Sequence, residues 1–306
     1  MIIDAKLVKD LRERTGAGMM DCKRALTECE ADIDKAIAYL REKGLAGASK
    51  KAGRVAADGL VGVFASPDSK AAVVLELNCE TDFVAKTEAF RSLFDTLGAA
   101  LLAADVTEGS GETAASLKVA GGKTISELLT ESISQIGENL ALRRFVRFAS
   151  PSGVVGSYVH AGGKIGVLVE LAGGDSRHVE LAKSLAMQVA AAFPRVVSRD
   201  QVAGADLAAE REIYRQQALA SGKPEKIVDR IVDGKIDKFY SEVCLLEQEY
   251  VRDGDVRVDK LIAQAAKETG ANLSVARFAR FQLGEGIEKK QSNLADEVAQ
   301  TIGQSA

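Results

Sequence analysis

Two pairs of segments repeat within this 306-residue chain, and they restrict its fold more than any other feature. GVFASPDSKAAVVLEL (62–77) and GSYVHAGGKIGVLVEL (156–171) align without a gap at an offset of 94, with five of sixteen positions identical. Each has apolar runs on both sides of a small polar turn, which predicts a β-hairpin. NLALRRFVRF (139–148) and NLSVARFARF (272–281) match at six of ten positions at an offset of 133 and predict a closing strand for each copy.

A helical segment follows each hairpin, at 83–104 in the first copy and at 178–193 in the second. We therefore expect an α+β protein whose core holds two units on one plan: hairpin, helices and closing strand. The stretch 106–132 has no counterpart that we can align, so the end of the first unit stays open.

The second offset exceeds the first by 39 residues, which indicates an insertion in the second copy. Residues 204–243 have helical apolar spacing on both sides of a break at SGKP, where Gly222 suits a helix end and Pro224 a helix start. We expect an antiparallel helical hairpin there. Two helices that project from a domain cannot bury both faces alone, so we expect it to pack on a partner or on a second copy.

The ends of the chain look helical. Residues 4–43 predict a small unit of three helices, the third stopping at Gly44, and 44–59 predicts a linker with helical leanings. Near the other end, NLADEVAQTI predicts a short amphipathic helix. The expected division is 1–54 for the helical domain and linker, 55–149 and 150–283 for the two core units, and 284–306 for a terminal module.

Composition excludes several classes of function. The net charge is −4, the aromatic share is 5% and there is no Trp, so neither a basic nucleic-acid surface nor a set of base-stacking platforms is expected. Four Cys without a CxxC pair and only two His support neither a metal site nor a disulfide framework. We find no signal peptide, membrane span, nucleotide-binding loop or nucleophile motif, and we expect a cytoplasmic protein without cofactor or metal.

LNCETDFVAK (77–86) places an acid beside a phenylalanine at a turn. One interpretation is structural: Thr81 or Asp82 caps a helix and Phe83 is buried beneath it. The second copy, however, has Arg177 and His178 where we align Asp82 and Phe83, which favours a role specific to the first copy. Both interpretations hold if Thr81 caps the helix while Asp82 and Phe83 point outward.

Met19 and Met20 pose a similar choice between burial and exposure. Adjacent helical residues point about 100° apart, so a small unit has difficulty burying both. An exposed methionine is an adaptable contact for a partner.

Several stretches resemble the elongation factor Ts family across nearly the whole chain. They include TGAGMMDCKRAL, NCETDFVAK, IGENLALRR, SGKPEKIVDRIVDGKIDKFYSEV and FQLGEGIEKK, in the family's order. The resemblance implies a ubiquitin-associated-like N-terminal domain, a duplicated core, an antiparallel coiled-coil hairpin and a C-terminal module. It also implies a guanine-nucleotide exchange factor that binds elongation factor Tu, not an enzyme, with no direct contact to nucleic acid or membrane.

The resemblance assigns roles to individual residues. Thr81, Asp82, Phe83 and Val84 match the segment that reaches the partner's nucleotide-binding domain and helps to dislodge Mg²⁺. Other matched positions that contact the partner are Arg12, Met19, Met20, Ile136, Gly137, His160, Leu294 and Val298.

Two other classes of function compete with this one. An enzyme would need an acid–base pair among the acidic residues near 76–82, and an adaptor would act through residues 1–45 alone. The sequence leaves open the oligomeric state, including a homodimer through the core or the helical hairpin, the exchange rate, and the relative weight of Asp82 and Phe83.

Overall fold

The computed structural model describes residues 3–222 and 224–288 and belongs to the expected α+β class. The helices are α1 (Ala5–Thr15), α2 (Met19–Glu28), α3 (Ile33–Lys51), α4 (Asp82–Ala85), α5 (Glu88–Ala103), α6 (Ile125–Ile136), α7 (Val179–Ala192), α8 (Gly204–Ala220), α9 (Glu225–Val243) and α10 (Val258–Thr269). The strands are β1 (Asp58–Ala65), β2 (Ala71–Cys79), β3 (Glu108–Gly109), β4 (Ala141–Ala149), β5 (Gly153–His160), β6 (Ile165–Ala172), β7 (Glu249–Tyr250), β8 (Asp253–Arg257) and β9 (Ser274–Gln282).

The two copies form two antiparallel sheets of matching topology. The first has the order β1-β2-β4-β3 and the second the order β5-β6-β9, so each hairpin accepts its closing strand on the same edge. The ladder shifts register between Glu76 and Leu77 in the first sheet and between Glu170 and Leu171 in the second, again 94 residues apart. The predicted hairpins and closing strands are therefore confirmed.

The unaligned stretch contains the missing counterpart, which is α6. It has 12 residues, as α10 has, and it begins 133 residues before α10. Both helices end at a glycine with a left-handed backbone, Gly137 (φ 88°) and Gly270 (φ 70°), where a side chain would be strained. Each repeat unit therefore has one helix that follows its hairpin (α5 or α7) and one that precedes its closing strand (α6 or α10).

The two sheets pack against each other about an approximate two-fold axis. The amide of Val61 donates to the carbonyl of Gly163 at 2.7 Å, and the amide of Val155, the repeat partner of Val61, donates to the carbonyl of Ser69 at 2.8 Å. The buried cluster between the sheets consists of Val61, Ala72, Val74, Phe148, Val155, Leu168 and Phe281. Helices α5 and α7 cover the outer apolar faces of their own sheets.

The prediction that the third helix stops at Gly44 is wrong, because α3 continues to Lys51. Its second half lies against α6, where Gly44 is buried and a Cβ there would meet Ser134 at 3.6 Å. The ammonium of Lys51 donates to the carbonyl of Ile133 at 3.3 Å. Packing against α6 therefore outweighs the low helix propensity of glycine, and residues 44–51 are not a linker.

In the stretch where the insertion is predicted, α8 and α9 lie one after the other, from Gly204 to Ala220 and from Glu225 to Val243. A buried apolar seam joins α8 and α9, and Arg211–Asp233 and Arg215–Asp229 are ion pairs across it. The predicted helix NLADEVAQTI lies outside the described residues. None of the helices within the described ranges is long and apolar enough to cross a membrane.

Candidate functional site

The turn after β2 starts a helix of a single turn and leaves its phenylalanine in solvent. Thr81 is the N-cap of α4, and its hydroxyl oxygen accepts from the amide of Val84 at 3.4 Å. Ala85 is buried, whereas Phe83 is 77% exposed. Thr81 therefore caps the helix, and Phe83 points outward instead of packing beneath it.

Asp82 and Phe83 share one cation, Lys86, which sequence reasoning missed. The Lys86 ammonium lies 2.6 Å from Oδ2 of Asp82 and 5.7 Å from the centroid of the Phe83 ring. The hydrogen bond from Lys86 lowers the pKa of Asp82, so this carboxylate is ionised at neutral pH. The four-residue spacing on a helix was the signal that could have revealed the pair.

The second copy corrects our alignment of the two turns. Its cap is Asp175, 94 residues after Thr81, so Arg177 takes the position of Phe83 and His178 that of Val84. His178 is 2% exposed and lies between the amide of Asp175 (3.1 Å) and the hydroxyl of Thr269 (2.9 Å). A cap is thus common to both turns, but only the turn of the first copy carries an exposed aromatic ring, Phe83.

Ile136 and Gly137 lie at the C-terminal end of α6, beside this turn. The next residue, Glu138, accepts hydrogen bonds from Thr81, which joins the end of α6 to the start of α4. Gly137 is exposed and Ile136 is partly buried in the first core. The structure therefore places these predicted positions next to Thr81–Val84.

Met19 and Met20 begin α2 and are 59% and 67% exposed, which decides between the two alternatives for them. The loop before them touches α6, because Gln135 donates to the carbonyl of Thr15 at 3.0 Å. Arg12 is exposed in the last turn of α1. The N-terminal positions thus connect, through residues 135–138, to the Phe83 turn.

His160 is exposed at the end of β5, 3.1 Å from the hydroxyl of Tyr158. The turn that follows it binds β1 through the amide of Val61, and α4 packs on the same strand. Leu294 and Val298 lie outside the described residues.

The acidic residues near 76–82 do not form an acid–base site. Glu76 is buried between Arg143 and Arg144, Glu80 accepts from the amide of Asn139, and Asp82 is paired with Lys86. Burial and the nearby Glu138 carboxylate raise the pKa of the Cys79 thiol to about 12, so it is not a nucleophile at neutral pH. Within residues 3–222 and 224–288, no group of three or more His, Cys, Asp or Glu could hold a metal ion.

Comparison with known proteins identifies the family. The model of the family described as elongation factor TS matches residues 80–285. Elongation factor Ts of Clostridium botulinum (strain Eklund 17B / Type B) is 54% identical over 304 residues, covering 99% of this chain and all of the relative. Elongation factor Ts of Clostridium perfringens (strain SM101 / Type A) is 52% identical over the same length and with the same coverage. The chain therefore belongs to the elongation factor Ts family and has a role in translation elongation.

Proposed function

We propose that this protein is a guanine-nucleotide exchange factor for elongation factor Tu. It binds the GDP form, displaces Mg²⁺ and promotes GDP release, so that GTP can load. The observation that carries the proposal is Phe83, an aromatic side chain 77% exposed on a helical turn whose cap holds it outward. Aromatic side chains are enriched in protein–protein interfaces, and a ring at the start of a capped turn is positioned for such a contact.

The proposed mechanism uses no covalent chemistry and no cofactor of its own. Phe83 would wedge between partner helices, and the ionised Asp82 would add negative charge near the metal site. Because Mg²⁺ demands near-ideal octahedral geometry, a small displacement of its ligands weakens its binding strongly. By linkage, GDP weakens the binding of this protein to its partner by the same factor, so exchange speeds up without a change in the final nucleotide balance.

The contact surface would be distributed over several parts of the chain. It would include the ubiquitin-associated-like domain (1–54), the core units (55–149 and 150–283) and the terminal module (284–306), with 204–243 as a coiled-coil hairpin. The exposed Met19 and Met20 and their connection to the Phe83 turn support such a surface. In this proposal the protein acts in the cytoplasm without direct nucleic-acid contact. The oligomeric state stays open, and a homodimer, if one forms, would use the core or the hairpin.

Stopped-flow release of a fluorescent GDP analogue from elongation factor Tu tests the proposal. With excess unlabelled GDP and varied Mg²⁺, the wild-type protein should accelerate release many-fold. Phe83→Ala should reduce this acceleration about tenfold or more, as truncation of an aromatic anchor does. Phe193→Ala is the matched control, because Phe193 is also exposed (53%) but follows α7 in the second copy.

Two results would count against parts of the proposal. No acceleration by the wild-type protein would reject exchange activity altogether. Full acceleration by both Phe83→Ala and Asp82→Ala would show that this turn serves only as a helix cap. Met19, Met20 and the core contacts would then have to promote GDP release.

A further inference from the structure

Glu138 binds the turn that carries Phe83 with both of its carboxylate oxygens. Its Oε2 accepts from the amides of Glu80 and Thr81, each at 3.0 Å, and its Oε1 accepts from the Thr81 hydroxyl at 2.7 Å. These donors are 57 and 58 residues away in the chain. Hydrogen bonds to an ionised acceptor are among the stronger ones in proteins, so Glu138 ties the turn firmly to the end of α6.

A second carboxylate completes the connection in the opposite direction. Oε1 of Glu80 accepts from the amide of Asn139 at 2.6 Å, and Arg54 lies 3.4 Å from the same oxygen. The side-chain amide of Asn139 in turn donates to the carbonyl of Arg54 at 2.8 Å. We call Glu80 and Glu138 the carboxylate clasp, because each binds the backbone of the other's segment.

The clasp determines how the cap works. A helix of one turn is unstable by itself, so α4 depends on its cap and its neighbours. The Thr81 hydroxyl donates its proton to Glu138 and accepts from Val84. Glu138 therefore orients the hydroxyl that starts the Phe83 turn.

The second copy folds the same turn without a clasp. The repeat partner of Glu138 is Ala271, which follows Gly270 as Glu138 follows Gly137, and the partner of Glu80 is Gly174. There, Asp175 and His178 cap the turn from within. The repeated architecture does not need the clasp, which occurs only where an exposed Phe83 has to be held.

We infer that Glu138 is a positioning residue for nucleotide exchange, an inference that rests on the proposed function. It holds the Phe83 turn rigidly against the end of α6, so that Phe83, Ile136 and Gly137 meet the partner as one edge. A ring that pushes partner helices apart must keep its position, because the ring of a mobile turn would move aside and leave the partner helices in place. Glu138 itself need not touch the partner.

The test compares Glu138→Gln with Glu131→Gln. The second variant removes a carboxylate charge from α6 itself, where Glu131 pairs with Lys123 outside the clasp. Glutamine keeps one acceptor oxygen but turns its NH₂ group either toward the two backbone N–H donors or toward the Thr81 hydroxyl. At saturating exchange factor, we expect GDP-analogue release to fall about tenfold for Glu138→Gln, the effect of losing roughly one charge-assisted hydrogen bond. The half-saturating concentration should change much less, because the apolar contacts remain.

Hydrogen exchange of the free protein gives a readout that is independent of activity. In Glu138→Gln the amides of residues 80–84 should exchange faster, while those of β2 and β4 should change much less. The thermal midpoint should fall by only a few degrees, as expected for the loss of about one hydrogen bond. Glu131→Gln should change neither the rate of GDP-analogue release nor the amide hydrogen exchange.

The outcomes separate this inference from the proposed function. A wild-type protein that does not accelerate release rejects the exchange role, whatever the clasp does. If wild type is active and Phe83→Ala is impaired, a full rate for Glu138→Gln despite faster amide exchange overturns the positioning role. A lower maximal rate, with a preserved half-saturating concentration and with β2 and β4 still protected from amide exchange, supports it.

Discussion

At the residue scale, Glu76 and Glu170 occupy the same repeat position but have different surroundings. Glu76 is fully buried and accepts from Arg143 (3.0 Å), Arg144 (2.7 Å) and the amide of Gly284 (2.8 Å). The side chain of Glu170 is 14% exposed and pairs with Arg277 at 2.7 Å. Gly284, in the segment after β9, thus adds a hydrogen bond to the Glu76 pair, which becomes a buried network. The repeated pair at Glu170 stays closer to solvent.

Glu76→Gln is expected to lower the free energy of unfolding by about 3 kcal/mol, because the partly buried guanidinium groups of Arg143 and Arg144 lose their fully buried carboxylate partner. Glu170→Gln is the matched control and should cost about 1 kcal/mol or less, since its pair is closer to solvent. Urea denaturation of both variants at neutral pH measures the difference. Equal losses would contradict the role of burial.

The contribution of Glu76 should also depend on pH. Burial by itself raises its pKa, but the hydrogen bonds from Gly284 and Arg144 outweigh burial and lower the pKa below the ordinary glutamate value. The stability that it adds is therefore complete above about pH 4.3, the ordinary value, and is lost as the pH falls through the lowered pKa of the folded state. The stability gap between wild type and Glu76→Gln should narrow in this acidic range, as urea titrations at several pH values would measure.

At the element scale, the two copies differ in how closely a helix approaches the hairpin. Alanines at four-residue spacing, Ala182, Ala186 and Ala190, are buried on α7, which packs on β5. A Cβ at Gly156 of β5 would lie 2.2 Å from the carbonyl oxygen of Ala182. At the repeat partner Gly62 a Cβ would meet only the Phe94 ring, at 2.8 Å.

Gly156→Ala should therefore cost more stability than Gly62→Ala. The first forces helix and strand backbones apart and should cost about 3 kcal/mol, near the upper end for overpacking. The second requires only a phenyl ring to turn and should cost about 1 kcal/mol. Chemical denaturation of both variants is the measurement, and the reverse order would show that the α7 backbone shifts easily.

At the scale of the whole molecule, the two core units interact as a symmetric dimer would. The Arg144 guanidinium lies 4.3 Å from the Phe281 ring, and its repeat partner Arg277 lies 4.2 Å from Phe148, the repeat partner of Phe281. Reciprocal contacts of this kind are the property of an isologous interface. The two sheets share one buried cluster, so we expect them to unfold together.

Leu168→Ala tests this coupling, because Leu168 is fully buried between the sheets. Loss of a core leucine should cost about 3 kcal/mol, and amide protection should fall in both sheets. Helices α1–α3, which have their own buried cluster, should keep their protection. Leu26→Ala, in that N-terminal cluster, is the control and should have the opposite pattern, whereas loss of protection in the second sheet alone would contradict the coupling.

The sequence by itself determined the features that arise from short-range periodicity and from the repeat. Apolar runs around polar turns predicted both hairpins, the second pair of matching segments predicted the closing strands, and the difference between the two offsets predicted an insertion of 39 residues in the second copy. Such features can be predicted because the spacing of apolar residues along the sequence distinguishes strands from helices.

Only the tertiary structure decided which side chains are buried and what they bind. It carried α3 past Gly44, placed α6 in the unaligned stretch and put Phe83 in solvent above a capped turn. Glu138 lay within a quoted motif, but its donors are 57 and 58 residues away. Comparison of the two copies could have pointed to Glu138, because an acidic residue follows Gly137 whereas Ala271 follows Gly270 in the repeat. Burial and long-range hydrogen bonds come from elements distant in the chain, and no local pattern specifies them.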